Sequence, residues 1–236
     1  MQEVATRLIE RIKRTDTIES FRFKPQEKID FVPGQFLQVI FDADKKDNKE
    51  LNKYLSFSSS PGKEYIEVTK RLSESVFSQK LKNLKAGDEV LLKAPLGTCV
   101  FRQDYKKIAF LIGGIGITPV ISIIEYIVDN KLGTDVVLLY SNRTEEEVAF
   151  KKELDNWQED NRNIKVIYAI TDCPPRDGRC IFGRITKELL TEKIKDLNER
   201  IFFIFGPPAM TAAMSGLCYE IGCRKEDVKT ENFIGY

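Results

Sequence analysis

The stretch Gly113-Gly114-Ile115-Gly116-Ile117-Thr118-Pro119 follows an unbroken apolar run, Ile108-Ala109-Phe110-Leu111-Ile112, and leads into a helical pattern over 120–128. A strand, a glycine turn and a helix start in that order form the repeating unit of a parallel sheet covered by helices. Glycine lets the backbone turn tightly and approach a ligand without a Cβ, and Thr118 followed by Pro119 suits the N-cap and first position of the helix. The open N–H groups and positive dipole end of such a helix start suit a phosphate, so the stretch reads as a pyrophosphate site.

The same alternation continues from Asp104 onward. Apolar runs at 108–112, 136–140, 164–170 and 201–205 read as buried parallel strands. Helices are expected over 119–129, 145–157, 186–197 and 208–221, the second opened by a Thr144/Glu147 capping box and the last stopped near Gly222. Gly206-Pro207-Pro208 ends a second strand of this sheet, and ligands of open parallel sheets bind at the carboxyl ends of strands.

Before Asp104 the signals are different. Short strands at 17–23, 36–41, 54–60, 65–69 and 89–93 are separated by Pro33-Gly34, Pro61-Gly62 and Ala86-Gly87-Asp88, as in a small antiparallel barrel. One helix, 75–84, interrupts them, and the polar stretch 42–52 reads as a mobile surface loop. The expected architecture is an N-terminal antiparallel Greek-key β-barrel, residues 1–103, and a C-terminal doubly wound α/β domain, residues 104–236.

Composition removes several function classes. With 37 basic and 36 acidic residues the net charge is +1, so no global field draws the chain to nucleic acid or an anionic membrane. No apolar run reaches bilayer-spanning length and the first residues lack a signal core, which gives a cytoplasmic expectation. The five cysteines show no C-x-x-C pair and read as reduced thiols, with no metal site. Histidine is absent altogether, which removes the commonest acid–base residue and points to chemistry supplied by a cofactor.

The ordered set Phe21-Arg22-Phe23, Pro33-Gly34-Gln35-Phe36, Lys53-Tyr54-Leu55-Ser56, Ala86-Gly87-Asp88, Ala94-Pro95-Leu96-Gly97, Gly113 through Pro119, Gly206-Pro207-Pro208 and Glu231-Asn232-Phe233 resembles the ferredoxin–NADP reductase superfamily over nearly the whole chain. The resemblance implies a flavin on the barrel, FAD or alternatively FMN, and a pyridine dinucleotide on the second domain. It also implies hydride transfer from NADH, or alternatively NADPH, to the flavin and onward delivery of electrons to a protein or small-molecule acceptor. A non-catalytic binding module and an electron-transfer subunit of a multi-component oxygenase are the competing readings. Since the given sequence stops at Tyr236 without a cysteine-bearing extension, any iron–sulfur cluster is expected on another chain.

Carried over position by position, Lys53 takes the place of the family's flavin-phosphate arginine, Leu55 that of its stacking tyrosine and Ser56 that of its serine, with Tyr54 in the same stretch. Lysine keeps the charge but loses the bidentate fork, and leucine packs without stacking. Val68 and Lys70 and the run Ser75-Val76-Phe77-Ser78 resemble the family's phosphate cluster at a helix start, with Ser75 where glycine is usual. Gly113, Gly114, Gly116 and Thr118 match the pyrophosphate loop. Asp172 stands in the turn that resembles the NADH-using cytochrome b5 reductase branch, while Arg143 and Arg176 keep NADPH open. Phe205 replaces the family's cysteine before Gly206 and Pro207, and either crowds the nicotinamide or is a buried strand aromatic. Glu231 and Phe233 match the acidic–aromatic pair beside the flavin, which Tyr236 could also cover; Ser56, Glu231 and Phe233 are the catalytic candidates.

Overall fold

A computed structural model of the protein describes residues 1–45 and 47–233. By contacts the chain forms two compact units, Met1–Phe101 with Thr118–Asp129, and Arg102–Ile117 with the chain from Asn130 on.

Six antiparallel strands build the first unit: β1 (Gln2–Lys13), β2 (Ile18–Pro25), β3 (Phe36–Ile40), β4 (Asn52–Ser56), β5 (Ile66–Arg71) and β6 (Glu89–Leu96). Their order is β4-β3-β6-β1-β2-β5, and a bridge between Phe57 and Val68 brings the two ends of the sheet together, giving the nearly closed barrel. Alternate side chains point inward, so Leu8, Phe21, Phe23, Leu37, Val39, Leu55, Phe57, Val68 and Leu92 fill one core. Helix α1 (Val76–Asn83) plugs it with Phe77 and Leu81, both fully buried.

Strand β1 was not among the expected elements. Its inward residues Val4, Thr6 and Leu8 alternate with Glu3, Ala5 and Arg7, and a bulge between Leu8 and Glu10 breaks the period that would reveal it. The expected 54–60 strand ends at Ser56. At the edges of the polar 42–52 stretch, the buried Asn52 side chain accepts the Phe41 and Asp42 N–H groups and donates to the carbonyls of Asp42 and Lys45.

The second unit contains β7 (Lys107–Gly113), which leads through a 3₁₀ turn at Gly114–Ile117 into helix α2 (Thr118–Asp129). It continues with β8 (Asp135–Asn142), α3 (Lys151–Asp160), β9 (Ile164–Ile170), β10 (Cys180–Phe182), α4 (Lys187–Lys193), β11 (Ile201–Gly206), α5 (Pro208–Glu220) and β12 (Val228–Asn232). All six strands are parallel in the order β10-β9-β8-β7-β11-β12. The chain moves outward from β7 through β10 and returns on the other side at β11, so the topological switch lies between β7 and β11.

Helix α2 packs within the first unit. Ser122 Oγ donates to the Ser59 carbonyl at 2.8 Å, the Ser60 N–H donates to Glu125 at 2.6 Å, and Lys63 lies 2.9 Å from Asp129.

Several boundaries differ from expectation for local reasons. Thr118 is not an N-cap, because the glycine turn itself supplies the first helical turn. The Thr144/Glu147 capping box does not form: Thr144 makes no cap hydrogen bond, Glu145–Glu147 is a 3₁₀ turn, and Phe150 at φ 60° breaks the path before α3. Helix α4 is capped by Thr186 yet stops at Lys193. Helix α5 ends as expected at Gly222, φ +93°, where the Cys223 N–H reaches the Cys218 carbonyl at 2.9 Å. The short edge strand β10 and the polar β12 carry too little apolar pattern to be visible in sequence.

Candidate functional site

In the barrel the expected flavin residues come together at the facing ends of the sheet. Strand β4 carries Lys53, Tyr54, Leu55 and Ser56, and β5 carries Val68 and Lys70. Leu55 and Val68 belong to the apolar core, Ser56 is buried, and Tyr54 is exposed with its ring edge-on to Phe36 at 5.8 Å. Lys70 is only 7% exposed, and burial together with the positive charge of Lys53 pushes its ammonium down to about 8. Two cations held near each other, one of them desolvated, store repulsion that an anion would relieve.

Beyond β5, Ser75 caps α1 and accepts the Ser78 N–H at 3.3 Å. Its hydroxyl also meets those of Ser73 and Ser78 at 3.1 and 3.0 Å, so three serines share one small network at a helix start. Val76, the next residue, is exposed. Buried ammonium, second lysine and capped helix start form a donor set that fits a flavin phosphate.

In the second unit the strand ends converge at the switch point. A Cβ on Gly116 would collide with the Phe205 carbonyl oxygen, so packing demands glycine there, whereas one on Gly113 would meet only the flexible end of the Met210 side chain. Gly114 differs. It has φ +51° and open space where a Cβ would stand, and it therefore keeps a backbone surface bare. Gly206 lies against the same corner, its own Cβ position 3.7 Å from the Gly113 N–H nitrogen. A bare glycine turn that starts a helical run fits a pyrophosphate. Thr118, buried, begins α2 directly after it.

Phe205 is fully buried, with its ring 5.8 Å from that of Phe203, which in turn stacks on Phe110 at 5.5 Å. Pro207 is exposed at the start of α5. Strand β12 sets Glu231 opposite Phe205 in register, and the buried Phe233 donates its N–H to the Gly206 carbonyl at 2.9 Å. No hydrogen bond or ion pair meets the Glu231 carboxyl among the described residues, and burial alone lifts it to about 7. At the far side of the crevice the Asp172 N–H donates to the Arg143 carbonyl at 3.0 Å, which places Asp172 beside Arg143 at the ends of β9 and β8. Tyr236 lies outside the described residues. Among the described residues no group of three or more His, Cys, Asp or Glu is placed to hold a metal ion, and no helix is long and apolar enough to cross a membrane.

Sequence reasoning missed the coupling of Lys70 to Lys53, since it depends on which sheet edges meet. It also passed over Asn142, whose neighbours are fixed only by the strand order.

A six-stranded barrel with two lysines at its seam and a parallel sheet with a glycine turn at its switch point together fit a flavin- and dinucleotide-binding architecture. Comparison with known proteins agrees. Residues 5–101 match the family model described as an oxidoreductase FAD-binding domain, and residues 110–216 match that of an oxidoreductase NAD-binding domain. The chain is 30% identical over 181 residues to an NADH-cytochrome b5 reductase 1 of Dictyostelium discoideum, covering 75% of this chain and 63% of that protein. It is 23% identical over 237 residues to a flavohemoprotein of Oceanobacillus iheyensis, covering 96% and 58%. The flavohem-like FAD/NAD-binding domain of nitric oxide dioxygenase from Vibrio cholerae superposes with a TM-score of 0.85 at 19% identity, covering 98% of both chains. The protein belongs to the ferredoxin–NADP reductase superfamily and carries its FAD-binding and NAD-binding domains. It spans about three-fifths of the length of the first curated relatives it matches.

Proposed function

We propose that the protein is a flavin-dependent NAD(P)H oxidoreductase that takes hydride from NADH onto a bound FAD and delivers the electrons to a separate protein or small-molecule acceptor. FMN and NADPH are the alternative cofactors. Residues 1–103 serve as the flavin domain and 104–236 as the dinucleotide domain, a division supported by the matched spans 5–101 and 110–216. A cytoplasmic setting is supported by the free thiols of Cys173, Cys180, Cys218 and Cys223.

The observation that carries this reading is Lys70, a buried ammonium beside a second lysine at the family's flavin-phosphate position. Lys53, Lys70 and the Ser75–Ser78 helix start would hold the flavin phosphates, with Leu55 and Ser56 at the edge of the site and Val68, wholly within the barrel core, behind them. When bound, the flavin supplies the exchange between a two-electron donor and an acceptor taking electrons singly or in pairs. The glycine turn at 113–116, with Thr118 behind it and Gly206-Pro207 beside it, would hold the pyrophosphate, and Asp172 would accept a ribose 2′-hydroxyl. Phe233 would cover the reacting ring. Glu231, poised about neutrality, can hold or release a proton at its Oε atoms, which suits a proton-linked electron transfer. Phe205 supports the buried-aromatic reading, since its ring leaves no exposed surface.

Purified protein should be yellow, and anaerobic addition of NADH should bleach the flavin band. A preparation that stays colourless after reconstitution with FAD and FMN would sink the proposal; flavin bound in equimolar amount yet reduced by neither NADH nor NADPH would favour a non-catalytic binding module.

A further inference from the structure

Asn142 is the last residue of β8, and its main chain is fully engaged. It pairs in register with Ile170, and its carbonyl accepts the Thr171 N–H at 3.0 Å and the Thr171 hydroxyl at 3.4 Å. Its side chain is not engaged. The residue is 5% exposed, and among the described residues neither Nδ2 nor Oδ1 has a hydrogen-bond partner. An amide desolvated without partners is a destabilising feature that folded proteins seldom keep, and where they do a water or a ligand usually completes it.

Its position narrows the choice. On one side, the preceding residue Ser141 pairs with Gly113, the first residue of the glycine turn. On the other, the following residue Arg143 accepts the N–H of Asp172 through its carbonyl, and Thr171 Oγ1 donates to Asp172 Oδ1 at 2.9 Å. Asn142 thus ends the strand that separates the turn suited to pyrophosphate from the carboxylate suited to a 2′-hydroxyl. In a pyridine dinucleotide the group between those two points is the ribose of the adenosine half. A carboxamide offers one acceptor and a pair of donors, and ribose hydroxyls both donate and accept, so the chemistries match.

We infer that Asn142 is a dinucleotide-binding residue whose amide, after a side-chain rotation, pairs with the hydroxyls of the adenosine ribose. The inference rests on the proposed dinucleotide site. Gly114, bare and left-handed, leaves the neighbouring backbone open to the attached pyrophosphate, so ribose and phosphate are served by adjacent strand ends.

The test uses ADP-ribose, which contains the adenosine ribose and pyrophosphate and cannot be reduced or oxidised at a nicotinamide. Asn142→Leu and Asn142→Ala are compared with the parent by calorimetric titration and thermal melting. Loss of one or two hydrogen bonds predicts a dissociation constant raised about tenfold in both variants. It also predicts melting temperatures no lower than the parent's in at least the Ala variant, because an unpaired buried amide has been removed. A purely structural amide would give the reverse pattern. ADP-ribose binding within twofold of the parent, or melting lowered by several degrees in both variants, overturns the assignment of Asn142 while leaving the dinucleotide site standing. A parent that binds no ADP-ribose overturns both.

Discussion

The two proposed anion sites of this molecule are built on opposite principles. On the barrel the site is made of side chains: Lys70 desolvated beside Lys53, and three serine hydroxyls around the start of α1. On the parallel sheet it is made of backbone: Gly116 is pressed against the Phe205 main chain so closely that no Cβ fits, Gly113 faces the flexible end of Met210, and Gly114 stays bare between them. Side-chain sites can exchange residues and keep their charge, as the lysine in an arginine place does. Packing sites cannot, since their residues answer to the core as well as to the ligand.

The largest effect should therefore come from the backbone site. Gly116→Ala forces a Cβ onto the Phe205 carbonyl and should lower the unfolding free energy by about 3 kcal/mol in urea titrations. Gly114→Ala, with open space but φ +51°, should cost only about 1 kcal/mol. Equal costs would show that the turn's glycines are not divided between packing and ligand access.

Glu231 gives the next effect, and its sign is fixed by burial. Its folded-state value is raised from 4.5 to about 7, so between those values the folded protein holds a proton the unfolded chain has released. Stability then falls as pH climbs through that window, and the deficit is complete above it. Glu231→Gln should be more stable than the parent by about 2 kcal/mol at pH 8 and indistinguishable from it at pH 4. A variant that gains nothing at pH 8 would mean the carboxyl is solvated.

Smaller changes are expected from single polar residues. Ser75→Ala removes the α1 cap and should cost about 1 kcal/mol with a modest loss of flavin affinity. Asp172→Ser should narrow the preference for NADH over NADPH, by up to about tenfold in kcat/KM, since it removes the 2′-hydroxyl acceptor and leaves Arg143 beside the site. An unchanged ratio would place the discriminating contact elsewhere.

The sheet half was legible in sequence because buried parallel strands are continuous apolar runs, and four of its six strands appear as such. The barrel was legible in outline, yet its longest strand was hidden by an imperfect alternation and a bulge at Leu8 and Glu10. Capping rules failed at Thr118 and Thr144, where a glycine turn and the left-handed Phe150 override local preference, while Ser75, expected inside its helix, stands as the cap. Candidate residues were found where they form contiguous motifs. Lys70's coupling to Lys53 and the unpaired amide of Asn142 depend on sheet closure and strand order, which no short motif encodes.

The claim that the flavin site is built on charge is tested most directly through Lys70. Its ammonium, lowered to about 8, must stay protonated to hold a phosphate, so flavin affinity should be highest below that pH. The measurement is the FAD dissociation constant of flavin-free protein from pH 6.5 to 9.5, for the parent and for Lys70→Met. The parent should weaken above pH 8 by up to about tenfold per pH unit, and the variant should bind at least about tenfold more weakly with a flat profile. A parent as flat as the variant, or a variant of undiminished affinity, would contradict the account.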